Sequence, residues 1–99
     1  MGKRKVSIRE SVADSIAEIA WYMEAKGMLI TAERFSESVY DFLEQLSDDR
    51  KSYRICKEPE RASMGFHCVT FKRRYTVVFI ETTLEITICE FIPSKLMRW

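Results

Sequence analysis

The sequence predicts an α+β domain: a two-helix hairpin packed on one face of a small antiparallel sheet, in the order β-α-α-β-β-β. Three observations predict it. Apolar side chains between Val12 and Leu46 recur at steps of three and four, the period of a helix. From Gly65 the period changes to two, in the stretch GFHCVTFKRRYTVVFIETTLEITICEFI, as strands require. The breaks inside that stretch are short, which pairs its strands as an antiparallel meander.

Each element has its own local reason. In Lys5–Arg9, Val6 and Ile8 alternate with Ser7 and Arg9, a short strand. Ser11, with Asp14 three residues on, forms a box-like helix start. Val12, Ile16, Ile19 and Met23 then make one apolar helix face, widened by Ala17 and Ala20. Lys26 suits the negative end of that helix, and Gly27 supplies the left-handed stop. Met28–Ile30 reads as a connector and Thr31 as the cap of a second helix. Ala32, Phe35, Val39, Phe42, Leu43 and Leu46 form the buried face of that helix. The short link makes the two helices an antiparallel hairpin.

Residues 49–64 are the least regular part, with Pro59 and the alternating charges of Lys57–Arg61 marking a loop. Tyr53–Cys56 can begin a strand early. Three strands follow: one ending at Phe71, then Tyr75–Glu81, then Glu85–Ile92 stopped by Pro93. Ser94–Trp99 forms a brief helical tail or folds back. With the helices on one sheet face, the other face is expected to be free for a ligand or partner. The sequence does not place the first strand within the sheet.

At 99 residues the chain is expected to be one domain, residues 1–99. No apolar run approaches the roughly 20 residues that span a membrane. The start, MGKRKVSIRE, lacks the apolar core of a signal peptide. With that start, the odd set Cys56, Cys68 and Cys89 points to reduced thiols and a cytoplasmic protein. No metal-ligand spacing and no phosphate-binding Gly loop occurs, so no cofactor is expected. The net charge of +1 does not announce a nucleic-acid binder, but charge is unevenly placed. Residues 1–49 carry six basic and ten acidic side chains, a balance of −4. Residues 50–99 carry ten basic and five acidic, a balance of +5. Such a chain can present one face to a polyanion and another to a basic partner.

The basic turn Lys72-Arg73-Arg74 is the best contact surface on the chain, because guanidinium groups clamp phosphate or carboxylate in pairs. Its bland reading is a solvated hairpin tip that discourages edge aggregation. Arg54 and Lys57 in the preceding loop are comparable candidates. His67 is the one histidine and has the intrinsic chemistry of a general acid or base. A lone histidine on a strand is more often a partly exposed structural residue. Trp21, off the main helix stripe, and Trp99, near the end, are candidate anchors for a protein partner, since aromatics dominate binding hot spots.

Several segments, taken in order, resemble the RelE/ParE family of bacterial toxins from type II toxin–antitoxin modules. IAEIAWYMEAKG carries Ile16, Ile19, Ala20 and Tyr22 in the family's first-helix pattern. AERFSESVYDFLEQLSDD follows as the second helix. GFHCVTFKRRYTVVF then supplies Phe71, Arg74, Tyr75, Val77 and Phe79 of the family's strand pattern, and EITICEFIPSK closes the match. The resemblance covers nearly the whole chain. It implies a growth-inhibitory toxin neutralised by a cognate antitoxin in a hetero-oligomer. RelE-like members cut messenger RNA on the ribosome, whereas ParE-like members poison DNA gyrase.

The resemblance also separates the two activities. RelE-like toxins use basic residues on the sheet with a Tyr or His near the C-terminus. The basic strand positions fall here on Cys68 and Thr70, and the Arg after the strand Tyr falls on Thr76. Lys95, near the family's C-terminal Arg, keeps a comparable charge. These departures favour a ParE-like toxin that acts by binding. The rival is a ribosome-dependent endoribonuclease using His67, Arg73, Arg74 and Lys95, and a third reading is an inactive antitoxin-binding relative.

Overall fold

The computed structural model describes residues 4–48 and 52–97. Strand β1 (Lys5–Ile8) leads into helices α1 (Glu10–Ala25) and α2 (Leu29–Gln45). A short helix α3 (Pro59–Ser63) precedes strands β2 (His67–Phe71), β3 (Tyr75–Glu81) and β4 (Glu85–Pro93), and a 3₁₀ turn, Ser94–Leu96, follows. The sheet order is β1-β4-β3-β2. β2, β3 and β4 form the expected antiparallel meander. β1 adds to β4 in parallel, with Val6 opposite Ile86, so the sheet is mixed.

The helix starts differ from the sequence reading. α1 begins one residue before Ser11, with Arg9 at the cap and no side-chain capping bond. α2 begins at Leu29, which puts Thr31 inside the first turn. The stop at Gly27 is as expected. Its φ is +82°, its N–H donates to Glu24, and the Met28 N–H donates to Met23. That pair of bonds ties off the last carbonyls of α1 and turns the chain into α2. Pro59, read as a loop signal, stands at the first position of α3, where its missing N–H costs nothing.

The helical stripes face the sheet as predicted. Val12, Ile16, Phe35, Val39, Leu43 and Leu46 pack with Phe71, Val77, Phe79, Ile86, Ile88 and Phe91 in one buried core. Each such side chain contributes about 1.5–3 kcal/mol by leaving water. A β-bulge lies at Cys89, because Val78 pairs with Glu90 while Phe79 pairs with Ile88. The extra residue shifts the alternation, so Ile86, Ile88 and Phe91 all join the core.

The second face of the sheet is not free, contrary to expectation. A smaller cluster of Cys56, Val78 and Met97, edged by Phe66, Cys68 and Ile92, covers part of it. α3 is tied over the same face by Arg61, which pairs with both Glu58 and Glu90. The reason is the irregular segment: it folds back along β2, where Ile55 forms a bridge with His67.

The expectation of three reduced thiols is overturned as well. Cys56 and Cys68 form a disulfide, and Cys89 stays a buried thiol. Counting cysteines speaks to compartment, not proximity. The bridge at Ile55 brings the Cys56 and Cys68 Cα atoms to 4.7 Å, within bonding range. No helix among the described residues is long and apolar enough to cross a membrane.

Candidate functional site

The turn between β2 and β3 is built from residues that do not favour its backbone. Lys72 and Arg73 have φ of 52° and 62°, and the Arg74 N–H closes the turn on the Phe71 carbonyl at 3.2 Å. Two successive positive φ values suit the right-handed twist of a hairpin, but Asn and Gly are the usual occupants. Here two long cations hold the positions.

The start of β3 and the end of β4 place this turn beside the 3₁₀ turn. Tyr75 pairs with Pro93, and the Ser94 N–H donates to the Arg74 carbonyl at 2.8 Å. The Tyr75 ring is fixed by stacking on Phe91 at 5.0 Å and by Phe35 at 5.6 Å. The result is a cleft of about 390 Å³ lined by Arg73, Arg74, Tyr75, Pro93, Ser94 and Lys95. It joins the adjacent candidates Arg73 and Arg74 to Lys95, which is distant in sequence. Lys72 instead reaches over the Phe71 ring, 5.3 Å from its centre. Ser94 is tied inward to Thr76, which is fully buried, its hydroxyl 2.9 Å from that of Ser94.

Chemically, the lining of this cleft suits an anion. Its two guanidinium groups and one ammonium can grip a carboxylate or phosphate, and the Tyr75 hydroxyl and Ser94 add hydrogen-bonding groups. Among its lining residues there is no imidazole or carboxylate to move a proton near neutral pH. Tyr75 reads in the sequence as part of a strand pattern, and neither it nor Ser94 as a candidate site residue. Their signal was faint: Tyr75 opens a strand right after the basic turn, and Ser94 follows the Pro that ends one.

His67 lies at the far end of β2, four residues and about 13 Å of strand from Phe71. Its ring stacks on Phe79 at 5.4 Å, its Nδ1 donates to the Tyr53 carbonyl at 3.0 Å, and its Nε2 sits 3.4 Å from Glu81. Arg4 pairs with the same Glu81. His67 thus belongs to a packed network on the helix side of the sheet. The structure does not bring it together with Arg73, Arg74 and Lys95.

A larger cleft, about 610 Å³, opens beside β2. Arg54 and Lys57 line it together with Tyr53, Ile55, Cys68 and Thr70. Arg54 is therefore on a second basic surface, separate from the turn cleft. The tip of the helical hairpin makes a third surface: Trp21, Tyr22, Leu29 and Ile30 are each more than half exposed. Trp99 lies outside the described residues.

No protein-family model matches the sequence, and no curated protein is significantly similar to it. Structure speaks where sequence does not. The chain is similar to a solved structure titled "Chromosomal ParDE TA system from P. aeruginosa", with a TM-score of 0.75 at 14% identity. The match covers 92% of this chain and 96% of that one. The fold is ParE-like, as the resemblance implied.

Proposed function

We propose that this chain is the toxin of a type II toxin–antitoxin pair, ParE-like in acting by binding rather than by cutting, with DNA gyrase as its target in the cytoplasm. The observation that carries the reading is the fold shared over 92% of the chain with a chain of a ParDE system. The cationic turn cleft supports it, because Arg73, Arg74 and Lys95 offer tight anion contacts without an acid–base pair. The antitoxin would cover the exposed aromatic and aliphatic side chains at the hairpin tip, with Trp21 as its anchor.

The grouping of Arg73, Arg74 and Lys95 also favours, more weakly, the ribonuclease reading, in which they would stabilise the charge of a cleaving phosphate. One experiment separates the two. The chain is expressed from a tight promoter, and plasmid supercoiling and message integrity are followed over the first minutes. Loss of supercoiling with intact messages supports gyrase poisoning, and cut messages with normal supercoiling support the nuclease. Unimpaired growth defeats both.

A further inference from the structure

The disulfide belongs to neither basic cleft's binding chemistry, yet it sits where it can govern one of them. We propose that Cys56–Cys68 is a reversible thiol–disulfide latch that holds the segment Arg54–Lys57 against the free edge of β2.

The segment has fixed ends and a loose middle. At one end Tyr53 is packed on the main core, its ring 5.6 Å from that of Phe79. At the other, Glu58 is buried and paired with Arg61, which is anchored in turn on Glu90. Between them the backbone is held to the sheet edge by two bonds, Cys56 N–H to Phe66 O at 2.9 Å and Cys68 N–H to Arg54 O at 3.2 Å. Among the described residues the Ile55–His67 bridge is the full extent of the pairing. Arg54, Ile55 and Lys57 are exposed, with Ile55 at 45%. A span with so few ties has low local stability once its covalent link is gone.

The main core does not depend on the link. Cys56 and Cys68 belong to the small outer cluster, whereas the twelve residues of the main core include neither. Opening can therefore be local. Access is one-sided. Cys56 is 3% exposed, but Cys68 is half-buried and lines the 610 Å³ cleft.

The chemistry follows from that access. A thiolate of a cellular dithiol attacks the Cys68 sulfur, forms a mixed disulfide and releases Cys56 as its thiolate, which takes up a proton. The second thiol of the reductant then displaces Cys68, leaving two protein thiols and an oxidised dithiol. The strap is then freed from the β2 edge, and Arg54 and Lys57 no longer stand as fixed walls of the cleft. The latch thus couples redox state to one of the two basic surfaces while leaving the turn cleft intact.

The full chain is oxidised with glutathione disulfide, then reduced with dithiothreitol, and amide exchange and alkylation with iodoacetamide are followed. In the reduced protein Cys56 and Cys68 are both alkylated, and their amides exchange at least tenfold faster. The amides of Val77 and Phe79 stay within twofold, and reoxidation restores protection. A C56S/C68S variant reproduces the amide-exchange pattern of the reduced protein, and C89S retains the response. The proposal is overturned if no Cys56–Cys68 bond forms under oxidation or if exchange is the same in both states. It also fails if Val77 and Phe79 accelerate along with the strap, or if C56S/C68S cannot fold, since the bond would then be a structural staple.

Discussion

Arg61 and Glu90 meet through two parallel hydrogen bonds, Nε to one carboxylate oxygen at 2.8 Å and Nη2 to the other at 2.7 Å. Glu58 takes a third contact from the same guanidinium. These bonds, Glu90 first, hold the Arg61 pKa further above its ordinary value against the opposing effect of burial, so the guanidinium stays charged. It ties α3 to β4 across the outer sheet face. Charged hydrogen bonds of this kind contribute about 1.5–3 kcal/mol. Both groups are partly exposed, so Arg61→Ala is expected to destabilise the protein by about 1–2 kcal/mol. Thermal unfolding would then fall by several degrees, roughly 4–8 °C per kcal/mol. An unchanged midpoint would mean that α3 is held by apolar contact alone.

The basic turn should show a conflict between stability and function. Lys72 and Arg73 occupy left-handed backbone, which costs an ordinary side chain about 1 kcal/mol per residue. Replacing the pair by Asn-Gly is expected to raise stability by roughly 1 kcal/mol. The same change removes one cation of the turn cleft, so growth inhibition should weaken. Denaturant midpoints and growth curves on one variant test both halves. A variant that is no more stable would refute the strain argument.

The exposed hairpin tip gives a cleaner test of partner binding. Trp21 is 65% exposed and contributes to neither buried cluster. Trp21→Ser should leave the unfolding midpoint unchanged within about 0.5 kcal/mol, as surface changes do. It should weaken antitoxin binding at least about tenfold if Trp21 is the anchor, a loss of about 1.4 kcal/mol. Calorimetric titration with the antitoxin measures it, and equal affinity would move the contact elsewhere.

Stability should decline in alkali. Burial raises the Cys89 pKa, opposed by Arg9 and helped by Glu90. Burial likewise raises Tyr53, with the Asp48 charge adding to it. Both are acids that stay neutral in the fold at a pH where the unfolded chain has begun to ionise. Their stabilising effect is therefore full below the unfolded values, about pH 8.5 for the thiol, and is lost as pH rises through the folded ones. Cys89→Ala should flatten the fall in denaturant midpoint between about pH 8 and pH 10. A slope equal to that of the parent chain would show that Cys89 does not report on folding.

Much of the fold was legible because its signals are local. The stripe Val12-Ile16-Ile19-Met23 needs only a helix and a face to bury, and Gly27 needs only its own φ to end it. The strands after Gly65 were readable to within two residues for the same reason. The candidate site was half legible. Lys72-Arg73-Arg74 announced itself as a basic turn, but its union with Lys95 depends on β4 returning beside β3. Nothing near His67 in sequence shows that Glu81 and the Tyr53 carbonyl occupy its two nitrogens.

By itself, the sequence determined the helical hairpin, the three-strand meander and the basic turn, since periodicity, caps and turns act over a few residues. Tertiary structure alone decided four things: the parallel docking of β1 on β4, the bulge at Cys89, the covered second sheet face and the Cys56–Cys68 bond. Each joins segments whose meeting depends on how the whole sheet closes over one core. The free energy of such contacts is set by geometry between distant residues, and the local pattern at either end carries no trace of it.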